Sequence, residues 1–399
     1  MRKIFVLFMI LTAMTAICWL IAAASPQEEV KSRAYAGHQN DRDVQNFARQ
    51  YPKAIGTRLD DCQTCHRSGV AGTDTAREFS PCGYCHLLQY SNPRYKTGVP
   101  KSFEDTLNSY GLAYKQAGRT PEAITSIGKL DSDGDTHSNY EEIGALRYPG
   151  DSASRPGQPL APTIVLNWQD IRKLPTHKQF MLINTSSEPF DDYSTYAGVR
   201  VKDLLESTHA DLSGAAGITV FAPDGYSTDY ALGDIGGPFP KGYFYAAPGA
   251  IKDPEKALVR YPDKIPPGVA DGKEIPDTPW LLLAFERDGK PLDTARYEKA
   301  TGRLAGEGPY RLIKPLRDLL AGDPSRPGRP DRSIKAKTFG DSWDFDKAID
   351  HNAGACIRGA TVIRINPMPA GFEEYDWKNG WPLIEGKQIV IFGRGVTMR

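Results

Sequence analysis

"CQTCHRSGVAGTDTAREFSPCGYCH", residues 62–86, contains Cys-x-x-Cys-His twice, with 20 residues from Cys62 to Cys82. In each copy the two thiols stand about one helical turn apart. At that spacing they can form thioethers with the two vinyl groups of one haem, while the adjacent His reaches the iron. The same thiols, written Cys-x2-Cys-x16-Cys-x2-Cys, also fit a four-thiolate zinc site, and two disulfides are a third option. Zinc and disulfides leave both histidines unexplained. The expectation is therefore two covalent haem c groups, attached through Cys62, Cys65 and His66 and through Cys82, Cys85 and His86.

The rest of this segment decides how the first domain is pictured. Residues 65–95 are rich in loop formers and poor in aliphatics, so the cofactors themselves would supply the apolar core. The segment, roughly residues 55–90, resembles small multihaem c-type cytochromes of the periplasm and cell surface, and the resemblance rests on the two motifs. It implies electron transfer between closely spaced haems and redox proteins as partners. No Met lies between Met14 and Met181, whereas two spare histidines, His38 and His137, precede residue 150. Bis-His ligation with low potentials is the expectation, although His177, His209 or His351 could instead be donated from further on. Apolar residues at helical spacing in 102–118 and 122–130 predict a mostly α-helical haem domain over 25–147.

The wider composition fits an exported protein. Residues 1–24 begin with Arg2 and Lys3, continue through an apolar run and end Ala22-x-Ala24, the pattern of a cleaved signal peptide. The run from Ile4 is also long enough to anchor in a bilayer. Cleavage is expected, leaving no stable membrane span and a periplasmic or cell-surface location. Lys+Arg and Asp+Glu both total 49 in 399 residues, and without a block of like charge nothing suggests a nucleic-acid partner.

Residues 131–142, "DSDGDTHSNYEE", place Asp131, Asp133, Asp135 and Asn139 at positions 1, 3, 5 and 9, and Glu142 at position 12. A loop resembling an EF-hand is expected here, binding Ca²⁺ through these oxygens and the backbone carbonyl of His137 at position 7. One departure stands out: Thr136 occupies position 6, normally Gly. A structural rather than signalling role is expected, and the bland alternative is a solvated acidic turn.

Residues 148–163 carry four prolines and read as a linker. Beyond them, short β-type runs predict an α+β domain of mixed sheet over 164–399: "TIVLNW", "QFMLINT", "GITVFA", "WLLLAFE", "TVIRIN" and "QIVIF". An irregular Pro- and Gly-rich insertion is expected from about 236 to 278. "YAGVRVKDLLE" (196–206), "ITVFAPDGYSTDYALGD" (218–234) and "GEGPYRLIKP" (306–315) resemble, in order, the signatures of the molybdopterin-binding domain of sulfite-oxidase-type oxidoreductases. That family binds molybdenum through a Cys placed between the stretches corresponding to "QFMLINT" and "YAGVRV". This chain has "NTSSEPFDDYST" there, and its only other cysteine beyond the expected signal peptide, Cys356, lies far downstream. The resemblance thus implies a domain that has lost its molybdenum, and no catalytic residues are assigned. The leading expectation is an electron carrier rather than an enzyme. The alternatives are a haem-linked molybdopterin oxidoreductase and, third, a calcium-dependent interaction protein using zinc.

Overall fold

The computed structural model describes residues 38, 41–72, 76–89, 95–183, 191–244, 259–298, 303–316 and 352–397. The signal-peptide expectation for 1–24 lies outside them. Among the described residues no helix is long and apolar enough to cross a membrane.

The expectation of a mostly α-helical haem domain does not hold, because the chain is a mixed α/β structure throughout. Its first part has only short helices: α1 (Arg42–Gln50), α2 (Pro81–Gln89), α3 (Ser109–Gln116), α4 (Pro121–Ile127) and α5 (Asn139–Gly144). Between the two motifs, β1 (Gly69–Gly72) and β2 (Ala76–Phe79) pair as an antiparallel hairpin. Local chemistry stops the helices early. Asn108 caps α3 by accepting from Gly111 N, and Thr120 with Pro121 opens α4 afresh. The helical pattern of 102–118 is therefore realised only from Ser109 onward, preceded by a 3-10 turn at Glu104–Thr106.

The later part is built on two sheets. In one, β3 (Thr163–Leu166) pairs antiparallel with Ile389–Gly393, which runs parallel to Val362–Asn366. That strand pairs antiparallel with β6 (Gly217–Phe221), and β6 with β7 (Ser227–Ala231). The second sheet joins β4 (Thr176–Ile183), β5 (Asp191–Arg200) and Leu282–Arg287. Each of the six β-type runs contributes a strand, though the first leaves its strand at Asn167, the cap of the helix Trp168–Lys173, and residues 184 and 185 of the second lie outside the described residues. Three of these strands, Gly217–Phe221, Val362–Asn366 and Ile389–Gly393, are buried at every position, and in Ile389–Gly393 burial on both faces gives a continuous rather than alternating apolar segment. Asp288 and Gly289 both take positive φ (50° and 77°) in the tight turn after Arg287, the conformation that favours Asp-Gly.

The two parts are joined through buried charge. Arg58 is 2% exposed and reaches Glu373 at 2.6 Å, while Tyr148 packs its ring under the guanidinium and donates to Arg58 O. Ser154 Oγ donates to Glu373, and Lys378 Nζ donates to Asp60 O at 2.7 Å. The Pro-rich stretch 148–163 is stitched into this seam, since Ala161 N donates to Glu373 O and Glu373 N to Pro159 O.

Candidate functional site

The first motif is a 3-10 turn at Cys62–Thr64, capped by Asp61, whose carboxylate accepts from Gln63 N. Asn108 laces the turn from outside. Its Nδ2 lies 3.0 Å from Gln63 O and 3.2 Å from Thr64 O, and its backbone N–H donates to Cys65 O. Helix α3 sits so close that a Cβ at Gly111 would come within 2.1 Å of Cys65 O.

His66 is positioned by Thr106, which is fully buried. Thr106 Oγ1 donates to Phe103 O at 2.6 Å, so its oxygen is left to accept, and His66 Nδ1 stands 3.1 Å away. The shared proton therefore belongs to His66 Nδ1, and Nε2 keeps the lone pair that a metal needs. Burial also holds the His66 imidazole below its ordinary pKa, in the neutral form that ligates.

The second motif rides on α2, which begins at Pro81. Its N-terminus is seated on the later part of the chain. Asp229 Oδ2, from β7, accepts from both Ser80 N (2.9 Å) and Ser80 Oγ (3.0 Å), while Oδ1 accepts from Thr219 at 2.6 Å. A carboxylate there also favours the positive end of the helix dipole. The fit is close, because a Cβ on Gly83 would lie 2.8 Å from Asp229 Oδ2. The two motifs lie side by side: α2 packs on the 3-10 turn Cys62–Thr64, close enough for the Cys62 thiol to raise both Cys82 and Cys85. All four are free thiols, and burial pushes Cys65 up to about 12. Among the described residues, no three of these thiols and imidazoles converge tightly enough to chelate one ion; Asp131, Asp133 and Asp135 do. A four-thiolate zinc site finds no geometric support. The neutral thiols and the free Nε2 of His66 fit covalent haem.

In the acidic loop, ligand oxygens of Asp131, Asp133 and Asp135 lie within 4.8 Å of one another. Glu142, at position 12, is fully buried, and neither of its carboxylate oxygens has a hydrogen-bond partner. One oxygen each of Asp133 and Asp135 is likewise unpartnered. Burial, with Asp133 and Asp135 beside it, pushes Glu142 up to about 9. Asp151, contributed by the Pro-rich stretch, adds a further negative charge that acts on both Glu142 and Asp133. Buried, unpaired carboxylate oxygens are costly unless a cation meets them, so the donor set fits Ca²⁺. Asn139 is differently employed: its Nδ2 donates to Ile127 O and Ser132 Oγ, tying the loop to α4. His137 donates its backbone N–H to Asp135. Thr136 adopts φ 82° at position 6, the left-handed conformation that Gly normally supplies.

In the later part, the segment 184–190, where the family's molybdenum thiolate would fall, lies outside the described residues. Cys356 is 3% exposed and packs against Met181, Ile183 and Tyr196, beside the end of β4. Its thiol is raised by burial and accepts from Lys314 N. Arg311 and Arg287 flank Tyr196 and share Glu307. Sequence reading missed Thr106, Asn108, Arg58 and Asp229. Each is a single polar residue acting across a long sequence separation, with no local pattern to mark it.

No protein-family model matches the chain, and no curated protein matches it significantly.

Proposed function

We propose that the protein is an exported dihaem c-type cytochrome that carries electrons between redox proteins in the periplasm or at the cell surface. The observation that carries this reading is His66, held by Thr106 with Nδ1 protonated and Nε2 open, beside paired thiols that recur in an adjoining second motif. Cys62 and Cys65 would hold one haem with His66 on its iron, and Cys82 and Cys85 the other with His86. The haems supply reversible one-electron chemistry. The chain's own residues fix the imidazole tautomer, keep the attachment turns rigid through Asn108, and seat the second motif on Asp229. The acidic loop would hold a structural Ca²⁺ through Asp131, Asp133, Asp135 and Glu142. The mixed-sheet part then serves as scaffold and docking body.

A pyridine haemochrome assay on the purified, reduced protein tests this. Two c-type haems per chain are expected, and none would return the four cysteines to zinc or disulfides. A second reading, a haem-linked molybdopterin oxidoreductase of the sulfite-oxidase type, draws on Cys356 packing beside β4. Its test is metal analysis, where stoichiometric molybdenum would replace the carrier reading with an enzyme.

A further inference from the structure

We propose that His38 and His86 are the two axial ligands of one iron, that of the haem on the second motif. The inference rests on the haem reading above and adds to it the partner across the metal.

The ring centroids of His38 and His86 are 6.3 Å apart, with planes inclined at 64°. Two imidazoles bound on opposite sides of one metal, each through a nitrogen at about 2 Å, place their centroids roughly 6 Å apart. Direct ring contact in the same region is tighter: His66 meets the larger ring of Phe103 edge-on at 5.3 Å. The two histidines thus stand at the separation of ligands sharing an ion, and wider than their size requires for contact.

A second observation comes from Asp41. Its Oδ2 lies 2.9 Å from His38 Nδ1. Asp41 occupies the N-cap position of α1, where an Asp side chain ordinarily accepts from the helix's own N–H groups, yet it makes no such bond. Its carboxylate is given to the histidine instead. A carboxylate on Nδ1 holds the proton there and leaves Nε2 as donor, the usual outer-shell support of a metal-bound His. His38 is itself held in the turn leading into α1 by the bond from Asp41 N to His38 O.

The ligand pair makes this haem six-coordinate with two nitrogen ligands, and low in potential relative to His/Met ligation. The full-length chain is tested as the ferric protein by visible and electron paramagnetic resonance spectra, with haem counted in parallel. In H38A, one haem of the two is expected to pass from low to high spin with haem content unchanged. Added imidazole should restore the low-spin signal even if that variant is less stable. H38M should stay low-spin and raise the potential of that haem alone, and D41N should raise it less. Two covalent haems with a wild-type spectrum in H38A would overturn the inference and leave the cytochrome reading standing. A wild-type chain without covalent haem would overturn both.

Discussion

The two parts of this chain solve the problem of stability differently. In the later part, Ile218, Val220, Ile363, Ile365, Ile389 and Ile391 form one aliphatic core between buried strands. In the earlier part, the core is a small cluster dominated by Phe47, Tyr110, Tyr114 and Tyr148, with Ile124 and Ile127. The two Cys-x-x-Cys-His motifs lie outside that core, one on a 3-10 turn and one on a short helix, and their order comes from Thr106, Asn108, Asp229 and Arg58. The sheet part is held mainly by area removed from water, and the motif part by specific polar bonds and, on our reading, by cofactor and cation. The contrast suggests that single polar substitutions should matter far more in the first part than their number of atoms implies.

The largest test is Arg58→Ala. It leaves Glu373, itself 1% exposed, with only the more distant Arg147 at 3.7 Å, and breaking a buried pair from one side costs about 3–5 kcal/mol. Urea unfolding followed separately by haem absorbance and by far-ultraviolet circular dichroism should show one transition in the wild type. In the variant the haem transition should move to lower urea, ahead of the sheet. If both transitions move together, the contrast between the parts is wrong.

Calcium comes next. Burial raises the Glu142 carboxyl from an ordinary 4.5 to about 9, so in the absence of the cation the folded state favours the protonated form. The contribution of this group to stability is then fully present below pH 4.5 and is lost as pH rises toward 9. A chelator-treated sample should lose melting temperature over that range. Saturating Ca²⁺ should flatten the profile, adding about 2.7 kcal/mol at a hundredfold excess over its Kd. A calcium-independent profile would remove the ion from the comparison.

Asp229→Ala should cost about 1–3 kcal/mol by stranding Ser80 N–H and Thr219. It should also shift the potential of the second haem only, which redox titration of the full chain would resolve. The smallest expected effect is a gain. Thr136→Gly relieves a β-branched residue at φ 82° and should stabilise the loop by about 1 kcal/mol. Thermal melts in calcium would check it.

Much of the sheet part could be read in the sequence because strands buried on both faces leave unbroken runs such as "IVIFG" at 389–393, and because Asp-Gly marks its turns. The motifs were equally legible, since their chemistry depends on spacing alone. The helices of the first part were overestimated. Periodicity in 102–118 cannot show that Asn108, by capping α3 and holding Gln63 O, fixes where the helix must begin. Asn139 teaches a related point. A hard oxygen at the right register of an acidic loop predicts a ligand, but spacing does not reveal that the amide is turned inward to Ile127 O. Asp41 carries no signal in the sequence, and only the fold shows its carboxylate directed at His38.

The strand Ile389–Gly393 lies between β3 and Val362–Asn366, so the five-stranded sheet cannot close until this last strand has been delivered. Asp229, three strands away in that sheet, cannot offer a settled seat to Ser80 before then. Chains are made from the N-terminus and fold as their parts emerge. Cys82 and Cys85 are therefore synthesised long before the surface that finally holds them exists. The topology builds in a waiting period during which the second motif is open to the machinery that modifies it, and closure of the sheet brings that period to an end.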